Sequence, residues 1–421
     1  MNNYLSMKIG TNQLELISKA KYYCENNLKN NIDVHDGGIF WFCSFAYSPG
    51  YAKLKLWEKG IKSFVSSFKI FLKDILAVSN LHNYSLINSE SNNIKYKKVI
   101  ISWAKKDNFL EDGSYFDTYF KINSRKIDDS IWFLIYDGKN LPEKIDKNIL
   151  IFKKLKQGPK YNFLYLINKI VKNIFLYKFS IKKIFYKTSW YTEFSNIVIN
   201  KIKNVISKDT EIIIMPYEGQ PFQNSIFKIS KNINKKIKTV GYVHPFPVGL
   251  PTNYIKRDGS PEKLIVNGDD QFNCFVKNLS WTSNQLKILP STRFQKDSNI
   301  DMAGYIFLPT TIKSKNIIIK SLENFIANYI DEPISELVVR NHPFKKESKI
   351  HLETFEEINK ILLKYNNRFS KNHVKKISIF IGSTGSVIEA LERGVEVVHV
   401  CEDPVFESYS NELWKSIQVK E

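Results

Sequence analysis

The sequence predicts an α/β fold of two doubly wound, mostly parallel sheets facing one another across a cleft. Three observations carry that expectation. From Glu211 onward short buried runs alternate with helical patterns, the alternation lapses into Ser, Thr, Asp and Asn between Pro290 and Ala303, and it then restarts. The lapse reads as a hinge between an N-terminal α/β domain with a helical N-terminal region, residues 1–295, and a C-terminal α/β domain, residues 296–421. Hydrophobic residues make up 43% and charged residues 25% of the 421, the balance of a folded chain with material for two cores.

Residues 1 to about 90 read as helical for much of their length, except Asp36–Phe45, where a Gly-Gly turn leads into an aromatic run suited to a strand. Strands are expected at Lys98–Trp103, Ser130–Tyr136 and Asn148–Phe152, with a polar loop and the aromatic segment Tyr115–Phe120 after the first. The region from Lys153 to Lys187 is basic and helical. Its apolar part, Tyr161–Phe185, is interrupted by Lys169 and Lys172 and reads, like Phe64–Val78, as an amphipathic helix and not a membrane span. A strand at Ile212–Met215, a helix at Phe222–Asn232, strands at Lys238–Val243 and Lys263–Gly268 and a helix at Asp270–Leu279 complete the first half. The second half runs strand Tyr305–Pro309, helix Asn316–Ile330, strand Glu336–Arg340, helix Leu352–Tyr365 and strand Ile377–Ile381. A helix closed by Gly394 and the strand Val395–Val400 follow.

A formal charge of +20 suits nucleic acid, an anionic membrane surface or a phosphorylated substrate. The lysines are scattered among Ile and Asn along the whole chain, so the charge points only weakly to a partner, and no nucleic acid is expected. The densest runs, Asn234–Lys238 and Lys153–Lys187, suit peripheral contact with acidic lipid or simple solvation. Cys24, Cys43, Cys274 and Cys401 stand too far apart for a disulfide framework or a zinc site, which points to a reducing compartment. The first residues lack the apolar core of a signal peptide, so the expected location is cytoplasmic, with any membrane contact at the inner face of the plasma membrane.

Doubly wound sheets keep their functional groups just past the carboxyl ends of strands. Glu218 stands there beside Gly219, placed to accept a proton from a sugar hydroxyl or, alternatively, to cap the next helix. His244, in a loop stiffened by Pro245 and Pro247, suits orienting an acceptor or assisting the base, with a structural role as the alternative. His342, followed by Pro343, can donate to a phosphate oxygen, with Lys345 and Lys346 adding field. The turn Gly382–Ser386 opens a helix, where Ser383, Thr384 and Ser386 could hold an anion or serve as ordinary caps. Glu389 on that helix suits ribose hydroxyls or plain exposure. The sequence contains no dinucleotide fingerprint, P-loop, metal-ligand cluster or Ser-centred nucleophile elbow.

Tyr217-Glu218-Gly219, His342-Pro343 and Ser383-Thr384, in that order, resemble three short motifs of bacterial sialyltransferases and polysialyltransferases. Those are glycosyltransferases with two Rossmann-like domains (the GT-B type) that use CMP-activated acidic sugars. Tyr217–Phe222, Gly241–His244 and Leu264–Gly268 are also similar to surface-carbohydrate biosynthesis proteins of O-antigen and capsule loci. The resemblance implies a catalytic base at Glu218, contact with the CMP phosphate from His342, and phosphate or sugar-carboxylate binding by Ser383 and Thr384. It implies a CMP-sugar donor of Kdo or sialic type, a saccharide or glycolipid acceptor, no cofactor and no metal. Tyr217 departs from the pattern, which has a second acidic residue there, and the stereochemical outcome stays open. A UDP-sugar transferase, a glycerophosphate transferase or a sugar epimerase would also fit the Gly382–Thr384 unit. A basic protein that binds polyanions or membrane surfaces without catalysis is the non-enzymatic alternative.

Overall fold

A computed structural model describes residues 14–22, 25, 84–88, 96–155, 163–176, 190–243, 251–292, 302–309, 312, 314–328, 330, 333–341, 348–370, 377–382, 384–400 and 418–420. In its first part the strands are β1 (Tyr84–Ile87), β2 (Lys98–Ala104), β3 (Ser130–Tyr136), β4 (Ile149–Lys154), β5 (Ile212–Tyr217), β6 (Lys238–Val243), β7 (Lys263–Val266) and β8 (Leu286–Ile288). Helices α1 (Phe163–Leu176) and α2 (Trp190–Ile202) precede β5, α3 (Pro221–Ile233) follows it, and α4 (Asp269–Asn278) follows β7. The second part holds β9 (Tyr305–Phe307), α5 (Lys315–Asn328), β10 (Val338–Arg340), α6 (Lys349–Lys364), β11 (Ile377–Ile381), α7 (Ser386–Glu392), β12 (Glu396–Val400) and β13 (Gln418–Lys420).

Strand order in the first sheet is β1-β4-β3-β2-β5-β6-β7-β8, with every pair parallel except the antiparallel β1 and β4. The chain builds outward from β2 to β4, returns to lay β5 beside β2, and builds out the other way. The second sheet, β10-β9-β11-β12-β13, is wholly parallel and reverses between β9 and β11. Each sheet therefore has a switch point, where two neighbouring strands send their following segments in opposite directions and leave a crevice at their carboxyl ends.

Burial explains why the central strands read as unbroken apolar runs. All seven residues of β3 are buried, and alternate side chains enter opposite faces. Ile131, Phe133 and Ile135 join a core with Phe194 and Val198 of α2 and Ile226 of α3. Trp132, Leu134 and Tyr136 face the other way, onto Tyr115, Phe109 and Ile122. Among the described residues, that second face is thus covered by the segment between β2 and β3, which carries the short antiparallel pair Phe116–Asp117 and Ile122–Asn123.

The helical expectation for the first 90 residues holds for 14–22, whose Leu16, Ile17 and Ala20 join the first core. It fails at β1, an edge strand whose Tyr84 stacks on Phe152 at 5.0 Å. Asp36–Phe45, Phe64–Val78, Cys24, Cys43, Cys401 and the hinge residues 293–301 lie outside the described residues. Cys274 is a free, buried thiol pushed up to about 12 by burial. No described helix is long and apolar enough to cross a membrane.

Candidate functional site

Glu218 is the first residue past β5, at the carboxyl edge of the first sheet's switch point. Its loop is pinned from two sides. Gln223, fully buried, accepts the N–H groups of Glu218 (2.9 Å) and Gln220 (3.0 Å) at Oε1 and donates to the Pro216 carbonyl at 2.7 Å. Asn253 donates from Nδ2 to the Glu218 carbonyl at 2.6 Å, and Arg257 donates from Nη2 to the Gly219 carbonyl at 2.5 Å. Gly219 has φ +69°, and a Cβ there would lie 2.1 Å from the Asn253 carbonyl oxygen, so only glycine permits the approach. The half-buried Glu218 carboxylate accepts from Gln220 Nε2 at 2.7 Å, which orients it.

Tyr217, where the resembling motif has a second acid, is a core residue. Its side chain is fully buried, its hydroxyl lies 2.8 Å from the Asn224 amide, and burial raises its pKa. Turned so that its oxygen meets the guanidinium, the Asn224 amide also accepts from Arg257 Nη2 at 2.8 Å. Tyr217 therefore joins the support beneath Glu218 and does not stand in for a carboxylate.

The segment between β2 and β3 packs beside the first switch point. Trp103, near the end of β2, packs on Tyr119 (5.6 Å) and on Phe222 at the start of α3 (6.1 Å), and Phe120 packs on Tyr242 at the end of β6 (5.8 Å). Asp117, fully buried, organises this segment. It accepts the N–H groups of Tyr119 and Phe120 at 2.8 and 2.6 Å, and the Tyr115 hydroxyl lies 2.8 Å from its other oxygen. Burial pushes its carboxyl above the usual range, against the lowering effect of those bonds.

Gly382 occupies the matching position in the second sheet, directly after β11 and beside the reversal between β9 and β11. Its φ is +66°, its N–H donates to the Val400 carbonyl at 3.0 Å, and its carbonyl lies 3.0 Å from Nε2 of the buried His399. Thr384 is buried, and its Oγ1 accepts the Ser386 N–H at 3.4 Å. Glu389 is engaged along its own helix, accepting from Arg393 Nη2 at 2.7 Å. Gly382, Thr384, Ser386 and Glu389 thus share one strand-turn-helix unit, while Glu218 belongs to the other sheet. His244, His342, Pro343 and Ser383 lie outside the described residues.

The sheets meet through side chains. Phe380, Val387, Ile388 and Ala390 belong to the same apolar cluster as Met215 and Phe275, and the Ser291 N–H donates to Glu392 at 2.6 Å. Burial raises the Glu392 carboxyl, against the lowering effect of the Ser291 bond, and nearby Glu389 raises it further.

A hollow of about 650 Å³ opens at the opposite edge, at the amino ends of β2, β5 and β6. Lys97, Lys208, Lys236 and Lys238 line it together with Glu211, which pairs with Lys97 at 3.1 Å. That hollow lies at the opposite ends of the strands from Glu218, so we leave it out of the candidate site. Among the described residues, no group of three or more His, Cys, Asp or Glu could hold a metal ion.

Gln223, Asn253, Asp117 and His399 carry no mark in the sequence. One signal marked Arg257. The chain has 62 basic residues of which only six are arginine, so an arginine here marks a place where a planar fork is needed and an ammonium would fail. Comparison of the sequence with protein-family models and with curated proteins finds no match.

Proposed function

We propose that the chain is a glycosyltransferase of GT-B type that moves an acidic sugar, of Kdo or sialic kind, from a CMP-sugar to a hydroxyl of a growing surface saccharide or glycolipid. The observation that carries the reading is the placement of Glu218. A carboxylate is held by a pinned backbone and an orienting amide at the carboxyl edge of a switch point, where a doubly wound sheet binds its ligand. The resemblance of Tyr217–Gly219, His342–Pro343 and Ser383–Thr384 to the sialyltransferase motifs supplies the choice of sugar class.

In this reading residues 1–295 receive the acceptor and residues 296–421 the donor. Glu218 takes the proton from the acceptor hydroxyl as its oxygen attacks the anomeric carbon. The bond from that carbon to the phosphate oxygen breaks, and the departing CMP keeps the electron pair. His342 and the turn from Gly382 to Ser386 receive the charge on the leaving phosphate, with Glu389 near the ribose and His244 on the acceptor side. Loss of a general base costs about a hundredfold or more.

Calorimetry with CMP, CDP, UDP and GDP, set beside transfer assays of the wild type and Glu218→Gln, tests the proposal. The expected result is preference for CMP, equal nucleotide affinity in both proteins, and transfer lost by about a hundredfold or more in the variant. A preference for UDP would sink the acidic-sugar reading. Retained turnover in Glu218→Gln would remove Glu218 from the mechanism.

A further inference from the structure

Helix α1 leaves part of its apolar arc in water. Leu164, Ile167, Val171 and Phe175 fall at i, i+3, i+7 and i+11 on one face, and they are 75%, 53%, 44% and 74% exposed. On the opposite face Asn173 is only 7% exposed, and its Nδ2 has no hydrogen-bond partner among the described residues. Ile170 and Ile174 on the neighbouring side are half-buried, so the helix packs through one part of its apolar arc and leaves the other as a stripe in water that calls for a cover.

Charge identifies that cover. Between Asp146 and Glu193 the chain carries eleven lysines and no Asp or Glu, and Lys172 is exposed beside the stripe. A second copy of the chain would bring the same positive charge against it, and nucleic acid would leave the aliphatic side chains wet. An anionic bilayer answers both features, with phosphates for the lysines and acyl chains for the stripe. At 14 residues, roughly 21 Å, the helix is too short to cross a bilayer and of a length to lie in its surface.

We propose that α1 docks the protein on an anionic lipid surface. The helix lies in the headgroup plane with Leu164, Ile167, Val171 and Phe175 in the acyl boundary and Lys172 against lipid phosphate. This does not depend on the transferase reading, and either can fail alone.

Sedimentation of the full chain with vesicles of phosphatidylcholine, alone or with about a third phosphatidylglycerol, tests it. The expected result is binding at least about tenfold tighter to the anionic vesicles, weakening as salt rises. The double variant Ile167→Asp, Phe175→Asp should lose about tenfold or more, and Lys172→Ala roughly fivefold. Because these side chains are exposed, the variants should melt as the wild type does, which keeps folding apart from docking. No binding of the wild type to anionic vesicles, or unchanged binding of the double variant, would overturn the proposal. So would a wild-type dimer in light scattering that the aspartates split into monomers, since a second copy would then be the cover.

Discussion

Arg257 ties the Glu218 loop to the first sheet, and a lysine could not do the same. From a position only 7% exposed it donates through Nη1 to the carbonyls of Asn253 and Ile255, both at 3.0 Å, and through Nη2 to Gly219. One ammonium cannot reach three carbonyls spread around a plane. Arg257→Lys should therefore cost about 3 kcal/mol in urea unfolding, and a loss within experimental scatter would show the loop to be held by Gln223 and Asn253 alone. Gly219 allows a sharper comparison. Gly219 and Gly394 have nearly the same φ, +69° and +70°, but a Cβ at Gly394 meets nothing within 4 Å, whereas one at Gly219 meets the Asn253 carbonyl at 2.1 Å. Gly394→Ala should cost only the left-handed backbone, about 1–2 kcal/mol. Gly219→Ala should cost clearly more and displace Glu218, so equal losses in the two variants would mean that the loop relaxes freely.

The segment between β2 and β3 takes the place of a crossover helix, and Asp117 is what folds it. Its carboxyl is raised above 3.8 by burial, so the folded chain holds that proton more tightly than the unfolded chain. The resulting stability is fully present below the unfolded value and is lost as pH rises through the raised folded value. Urea unfolding of the wild type and of Asp117→Asn in steps from acid to neutral pH should show the wild type losing ground to the variant across that window. A difference that stays flat, or that grows in the wild type's favour, would place the folded carboxyl at or below its ordinary value. This element also marks where reading the sequence ends. Strands buried on both faces, such as β3 and β11, announce themselves as apolar runs, and the shorter run Ile212–Met215 places Glu218 just past a strand end. Edge strands have no such run: β8 buries only Leu286 of its three residues, and every residue of β1 is half-buried. Nothing in the sequence marks Asp117, because its burial depends on Tyr115, Tyr119 and the sheet face beneath. The clamp on Gly219 was equally hidden, since Asn253 and Arg257 arrive from more than 30 residues away. Strand order, which creates both switch points, has no counterpart in hydrophobic periodicity.

At the scale of the whole molecule, β11 connects two cores. Ile377, Ile379 and Ile381 point into the core of the second sheet beside Leu322 and Ile358. Phe380, between them, points the other way, stacks on Phe307 at 4.6 Å, and belongs to the cluster that runs on to Met215, Phe275 and the first sheet. The period of two that makes a strand thus delivers alternate side chains to the two halves of the chain. Phe380→Ala should remove about 3–5 kcal/mol of packing. If the shared cluster couples the halves, that loss is felt by both. Hydrogen exchange resolved by peptide should then show protection falling together in β11 and β12 and in β5 and β7 of the first sheet. The coupling also matters for the proposed transfer, because the Gly382 turn follows β11 and Glu218 follows β5, so a common core fixes the elements from which both groups project. Loss of protection confined to β9–β12, with β5 and β7 unmoved, would mean that the sheets open independently and that each switch point keeps its geometry without the other.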